Sequence, residues 1–190
     1  MTGRALFLDR DGVINVDHGY VHRPDQFEFI DGIFQLCRAA MRAGFGIVVV
    51  SNQAGIGRGL YSEAQYHALT RWMTARFADE NVIIAGTYYC PYHPVHGVGV
   101  YKRESEDRKP RPGMIFRAAA DLGLDLAHSA LLGNQGTDIQ AAVAAGIGLK
   151  MLFEPDPGMV DNACAAQADV IVRQLDEAVP LLEQFTRTSA

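Results

Sequence analysis

The stretch that most constrains this chain is residues 5–15, which read ALFLDRDGVIN. Ala5-Leu6-Phe7-Leu8 is a short apolar run of the kind that forms a buried strand. It ends in Asp9-Arg10-Asp11-Gly12, two carboxylates two residues apart entering a glycine turn. A strand with that ending sets two anionic side chains at the carboxyl edge of a sheet, where open α/β folds bind their ligands. Carboxylates so close repel unless a cation or a shared proton holds them, so a divalent metal is their natural companion. The same residues also fit a turn whose aspartates merely bond the backbone. The rest of the chain has to decide.

Downstream, apolar patterns of two kinds alternate. Gly46-Ile47-Val48-Val49-Val50 is a continuous run typical of a parallel strand buried on both faces, and residues 82–89, 130–132, 148–153 and 170–172 read as further strands. Between them, residues 32–43, 62–79 and 113–122, a helix opened by residues 133–138 and running to 145, and residues 175–185 carry helical spacing or helix signals. Ser62 followed by Gln65 is a capping box that starts the second of these helices. Residues 15–29 show no period and read as a loop over the sheet edge. Residues 90–112 are also aperiodic and hold Pro91, Pro94, Pro110 and Pro112, the mark of a long functional loop. Strands alternating with helices predict a parallel sheet with helices on both faces.

Length and charge narrow the class. At 190 residues, 48% apolar and 21% charged, the chain fits one globular domain, residues 1–190. A formal charge of -5 argues against nucleic acid or an anionic membrane as partner. A phosphorylated ligand would therefore need local basic groups. Cys37, Cys90 and Cys164 are too scattered for a disulfide framework and suit a reducing compartment. The acids at Asp9 and Asp11 interrupt the first apolar run, so no signal peptide is read and the cytoplasm is expected.

Four polar clusters fall at strand ends or in loops above one sheet edge: Asp9/Asp11, Ser51/Asn52, Arg108/Lys109 and Asn134/Asp138. An aspartate can attack phosphorus and split hydrolysis into formation and breakdown of an aspartyl-phosphate. A second acid can protonate the leaving oxygen and later deprotonate water. A hydroxyl, an amide and a lysine can hold phosphoryl oxygens, while a metal offsets charge between nucleophile and phosphate. Each residue has a plainer reading. Ser51 could cap a turn, His18 could be a surface histidine, and Arg108 and Lys109 sit in a basic stretch with Lys102, Arg103 and Arg111.

In order and spacing the four clusters resemble the haloacid dehalogenase superfamily of phosphotransferases. Within it, residues 9–22 (DRDGVINVDHGYVH), Ser51-Asn52-Gln53-Ala54-Gly55-Ile56, Arg58-Gly59, Tyr88-Tyr89-Cys90-Pro91 and Arg108-Lys109-Pro110 resemble the D-glycero-D-manno-heptose-1,7-bisphosphate 7-phosphatase family. The resemblance runs from about Leu6 to Leu152. It implies a Rossmann-like α/β domain of haloacid dehalogenase type without a large cap domain. It implies Asp9 as nucleophile and Asp11 as general acid/base, with Ser51 and Lys109 holding the transferring group. Asp17, His18, Gly19, Tyr20, Ser51, Asn52, Gln53, Ala54, Arg108, Lys109 and Gln135 would contact substrate. Asp9, the Asp11 carbonyl and position 134 would hold magnesium. The implied activity is removal of the 7-phosphate on the route to nucleotide-activated heptose and lipopolysaccharide core.

Two departures qualify the resemblance. Many family members hold a structural zinc through Cys-x-His-His-Pro and Cys-x-Cys-Arg-Lys-Pro. Here the matching stretches read Cys90-Pro91-Tyr92-His93-Pro94 and Ser105-Glu106-Asp107-Arg108-Lys109-Pro110, so one of four ligands remains and no structural zinc is expected. Asn134 stands where the superfamily usually has a metal-binding aspartate. Asp138 either approaches the metal or pairs with Lys109, and the need of that lysine for an anion favours the pair. The expected partner is a small-molecule sugar phosphate acted on by a monomer. Histidinol-phosphate phosphatase, or a catalytically weak sugar-phosphate binding protein, remains the alternative.

Overall fold

Six parallel strands form one sheet in the computed structural model, which describes residues 3–156, 158 and 166–188. They are β1 (Arg4–Leu8), β2 (Phe45–Asn52), β3 (Ile84–Cys90), β4 (Ala130–Gly133), β5 (Leu149–Phe153) and β6 (Val170–Val172). Their order is β3-β2-β1-β4-β5-β6. The chain builds outward from β1 to β3, then returns to lay β4 against the other side of β1. That reversal makes the carboxyl ends of β1 and β4 a topological switch point, the place where such sheets open a crevice. Asp9 follows β1 there, and its N–H still bonds the Leu132 carbonyl of β4 at 3.2 Å.

Alternation along the strands explains why both faces are covered. Leu6 and Leu8 of β1 enter one apolar core, with Ile47 and Val49 of β2 and Leu132 of β4. Ala5, Phe7, Val48, Val50 and Leu131 enter the other. Successive side chains in a strand point to opposite faces, so an unbroken apolar run requires two cores. Helices α1 (Ile33–Arg42), α3 (Glu63–Asp79) and α6 (Ala178–Thr188) cover the first face through residues such as Leu36, Leu69, Phe77 and Leu182. Helices α4 (Gly113–Leu122) and α5 (Gly136–Ala145) cover the second through Met114, Ile115, Ile139 and Ala142. Each fully buried large side chain of β1 contributes about 1.5–3 kcal/mol. Truncating Phe7, wholly buried, would cost about 3–5 kcal/mol.

The elements lie close to where the sequence puts them, with physical reasons for the differences. The third strand starts at Ile84 and includes Cys90. Val82 is spent on the exit from α3, where its N–H bonds the Phe77 carbonyl at 2.9 Å. The closing helix opens with a 3-10 turn, Leu175–Glu177, before Ala178. A short helix, α2 (Ala54–Gly57), occupies what reads in the sequence as a glycine loop. The Ser62 capping box forms as read: Ser62 Oγ accepts from Gln65 N at 3.2 Å and Gln65 Oε1 accepts from Ser62 N at 2.9 Å. Among the described residues no large cap domain is present, and no helix is long and apolar enough to cross a membrane.

The stretch after β3 is held by aromatic and polar contacts. Glu63 takes a hydrogen bond from the Tyr101 hydroxyl on one oxygen (2.8 Å) and from Tyr89 on the other (3.1 Å). Arg103 stacks over the Tyr92 ring, 3.9 Å from its centroid. Cys90 is buried in the strand, His93 Nδ1 accepts from the Val95 and His96 amides, and Asp107 pairs with Arg117. Among the described residues no three His, Cys, Asp or Glu side chains gather as a metal site. Cys37 and Cys90 are buried free thiols, and Cys164 lies outside the described residues.

Candidate active site

The two acids leave β1 on a tight turn. The Arg10 carbonyl accepts from the Ile14 and Asn15 amides at 2.9 and 3.1 Å, and Gly12 N–H bonds the Asn15 carbonyl at 2.7 Å. Gly12 is required at this bend. Its φ of +92° suits only glycine, and a Cβ would lie 2.0 Å from Asn134 Nδ2. The turn thereby brings the Asn134 amide against the Asp9–Asp11 turn.

Lys109 is the buried cation of the site. Its Nζ donates to Asp9 Oδ1 at 2.7 Å and to the Val50 carbonyl at 2.9 Å, and lies 2.6 Å from Asp138 Oδ1. Asp138 sits in the first turn of α5, and its Oδ2 accepts from the Asn134 and Gln135 amides at 3.1 and 2.9 Å. Gly133 makes room for this carboxylate, since a Cβ there would lie 2.3 Å from the Asp138 side chain. The sequence-based preference for a Lys109–Asp138 pair is therefore the arrangement found. The lysine backbone is fixed as well. Asn52 accepts from Lys109 N and donates to Lys109 O, both at 3.1 Å.

One ammonium thus serves two carboxylates. Lys109 is held charged above its usual range, because its two anions outweigh the effect of burial. Asp9 is pushed up to about 7 by burial, with Lys109 opposing and Asp138 and Asp11 adding to the rise. The Asn134 Oδ1 atom is buried and finds no hydrogen-bond partner among the described residues. A carboxylate with no full counter-charge and an orphaned amide oxygen are hard oxygen donors. Such a set fits magnesium.

Asp11 is held quite differently. Arg10 meets it side-on, with Nε 3.2 Å from both oxygens and Nη2 at 2.8 and 2.9 Å. Asn15 Nδ2 donates to Oδ1 at 3.1 Å, and Gln53 Nε2 donates to Oδ2 at 2.9 Å. Gln53 Nε2 also donates to Ser51 Oγ at 2.7 Å, while its Oε1 accepts from the Tyr61 hydroxyl at 2.6 Å.

Three cavities adjoin around these groups, and Asp17 lines all of them. The smallest, about 180 Å³, is lined by Asp9, Asp11, Ser51, Asn52, Lys109, Gln135, Thr137 and Asp138 besides Asp17. A second, about 370 Å³, is walled by Gly19, Tyr20, Gln53, Ala54 and Tyr61. A third, about 450 Å³, is bounded by Gly12, Ile30, Asn134, Gln135 and Phe153. Most of the residues singled out in the sequence are therefore brought together. His18 and Arg108 are not among the lining residues. His18 Nε2 faces Glu28 at 3.1 Å, and Arg108 Nη1 donates to the Tyr92 carbonyl at 3.2 Å. Tyr20, at a left-handed φ of 54°, meets Arg58 through its hydroxyl.

Sequence reasoning missed Arg10, Asn15, Tyr61 and Thr137. Arg10 stands between the two acids and reads as a turn residue, yet it is one of the most buried charges in the described structure. The available signal was an arginine directly beside a carboxylate that has to be oriented.

In sequence and in fold the chain is similar to known phosphatases. A family model described as HAD-hydrolase-like matches residues 107–150. The chain is 50% identical over 183 residues to the D-glycero-alpha-D-manno-heptose-1,7-bisphosphate 7-phosphatase of Burkholderia mallei, covering 96% of this chain and 95% of that one. It is 51% identical over 171 residues to the D-glycero-beta-D-manno-heptose-1,7-bisphosphate 7-phosphatase of Escherichia coli K12, covering 90% and 89%. Among solved structures, the D,D-heptose 1,7-bisphosphate phosphatase of B. bronchiseptica complexed with magnesium and phosphate superposes with a TM-score of 0.79 at 28% identity. That match covers 95% of this chain and 98% of the other.

Proposed function

Since the chain belongs to the D-glycero-D-manno-heptose-1,7-bisphosphate 7-phosphatase family of haloacid dehalogenase-like hydrolases, we propose that it removes the 7-phosphate of a heptose 1,7-bisphosphate through an aspartyl-phosphate on Asp9. The observation that carries the reading is that Asp9, Asp11, Ser51 and Lys109 line one small cavity at the switch point.

Asp9 is the nucleophile. Lys109 engages its Oδ1, so Oδ2 attacks phosphorus while the bond from phosphorus to the sugar oxygen breaks. Asp11 enters this step as the carboxylic acid, gives its proton to that oxygen as it leaves, and as the resulting carboxylate takes one from the water that attacks the aspartyl-phosphate, which restores the acid. Phosphate departs and Asp9 is restored. Lys109 and Ser51 hold oxygens of the transferring group, where charge changes during the reaction. Asp9, the Asp11 carbonyl and Asn134 Oδ1 would hold magnesium, whose charge offsets the repulsion between Asp9 and the phosphate. Asp17, Gly19, Tyr20, Asn52, Gln53, Ala54 and Gln135 supply the walls against which the sugar is oriented. Arg108, and His18 at the outer rim, reach the substrate from outside the three cavities, Arg108 by giving up the Tyr92 carbonyl for the distal phosphate.

The test is product analysis with magnesium present. Heptose 1,7-bisphosphate should yield inorganic phosphate and heptose 1-phosphate. Asp9→Asn should lower turnover at least about 10³-fold, since an amide is a poor nucleophile toward phosphorus. Arg108→Ala should weaken the bisphosphate more than the 7-monophosphate. A higher kcat/KM for histidinol phosphate would overturn the substrate assignment, and wild-type activity in Asp9→Asn would overturn the covalent mechanism.

A further inference from the structure

Arg10 is costly to place where it is. It is almost fully buried, its Nη1 has no partner among the described residues, and its remaining nitrogens go mainly to one carboxylate. A buried guanidinium serving only as scaffold would be expected to use all its donors, because each unsatisfied buried group costs about 1–3 kcal/mol. Here the side chain is steered toward Asp11 instead. Nη2 is tied to the Val21 carbonyl at 2.7 Å, and the guanidinium carbon lies 6.0 Å from the centroid of the Tyr66 ring. The Val21 carbonyl thus anchors one end of the fork, and the Tyr66 ring lies beside it. Asn15 and Gln53 then meet the two Asp11 oxygens, one each.

We propose that Arg10 is a positioning residue for Asp11: its fork, anchored by Val21, holds the carboxyl group of Asp11 in the orientation from which it exchanges a proton with the leaving oxygen and with water. The inference rests on the reading of Asp11 as the general acid/base. Arg10 itself touches neither the phosphoryl group nor the sugar in this scheme. Its effect is felt through the aim of Asp11, where a displacement of about 1 Å is enough to cost on the order of 10²-fold. Two N–H groups, each shared between both oxygens of Asp11, grip the carboxyl group at two points, whereas a single ammonium leaves it free to rotate about one contact.

The experiment compares leaving groups in Arg10→Lys, which keeps the charge and loses the fork. In single turnovers with magnesium, release of the alcohol from an alkyl phosphate needs protonation by Asp11, whereas release of p-nitrophenolate needs little. Arg10→Lys should slow alcohol release from heptose 1,7-bisphosphate about 30–100-fold. The first-turnover release of p-nitrophenolate from p-nitrophenyl phosphate should stay within about threefold, and KM for the bisphosphate within about twofold. Because a buried ammonium can prevent folding, Arg10→Gln repeats the comparison with a neutral side chain that keeps a planar donor, and melting curves accompany both. Equal loss on the two esters in a folded variant would overturn the proposal and leave Arg10 as scaffold alone. A wild-type protein that released neither alcohol nor nitrophenolate would overturn the phosphatase reading on which the proposal stands.

Discussion

At Asp9 one buried lysine is divided between two carboxylates, whereas at Asp11 one carboxylate is met by an arginine fork and two side-chain amides. The two acids lie two residues apart on a single turn, so their difference comes from the partners that the fold brings to each. The first centre carries one negative charge in excess when Asp9 is ionised, and it lies beside an amide oxygen with no partner. The second centre is neutral in sum, and both oxygens of Asp11 are engaged. An under-compensated centre invites a cation and a reacting group; a fully engaged one holds a geometry. Lysine suits the first because a point charge can be shared between several oxygens. Arginine suits the second because its plane selects one orientation.

The contrast can be broken most severely at Lys109. Lys109→Met keeps much of the stem and removes the shared cation. Turnover should fall about 10²–10³-fold in kcat, as for loss of one donor to a developing charge. Metal-free protein should lose about 3 kcal/mol at pH 8, where Asp9 and Asp138 are left facing each other without a counter-ion. Denaturant melts with and without magnesium would check this. A kcat within threefold of wild type would show that the lysine is only a structural partner.

A smaller change sharpens the comparison by making the first centre more anionic. Asn134→Asp adds a charge where a magnesium ion would sit, and should tighten magnesium binding about tenfold, roughly 1.4 kcal/mol. Isothermal calorimetry reads this without reference to activity. Unchanged or weaker binding would remove position 134 from the set of metal ligands.

The smallest expected effect is in pH dependence. Burial raises Asp9 from 3.8 to about 7, so between these values the folded protein binds a proton that the unfolded chain has released. The stability from this group is complete below about pH 4 and is lost as pH rises through about 7. Metal-free wild type should therefore lose stability over this window relative to Asp9→Asn, whose amide does not titrate. Between pH 5 and pH 8 the wild-type Tm should fall by a few degrees relative to that of the variant. A constant difference would mean that Asp9 is not strained by its surroundings.

Much of this molecule is legible without coordinates. Ala5–Leu8 followed by Asp-x-Asp-Gly identifies the central strand and the edge on which chemistry is done. The apolar runs at 46–50, 130–132 and 148–153 give the parallel sheet, and Ser62 with Gln65 gives the start of α3. Even the Lys109–Asp138 pair follows from the need of a buried cation for an anion. Boundaries shifted where a residue left the pattern for a local hydrogen bond, as Val82 does at the end of α3.

Other features required the tertiary structure. Nothing in the run Asp9-Arg10-Asp11 says that Arg10 is buried, because an arginine in a polar turn matches an exposed one in every local respect. The resemblance places Gln53 against substrate, but only the fold shows Tyr61, Ser51 and Asp11 converging on its amide. Glu63 reads as a helix-start acid until Tyr89 and Tyr101 share its carboxylate. Periodicity reports which face of an element is apolar, and that is a local property of neighbouring residues. The partner of a buried polar group is set by which strand ends the sheet order places side by side. Asp9 and Lys109, a hundred residues apart in the chain, become neighbours only when β4 returns to the flank of β1 and the stretch after β3 folds back over the switch point.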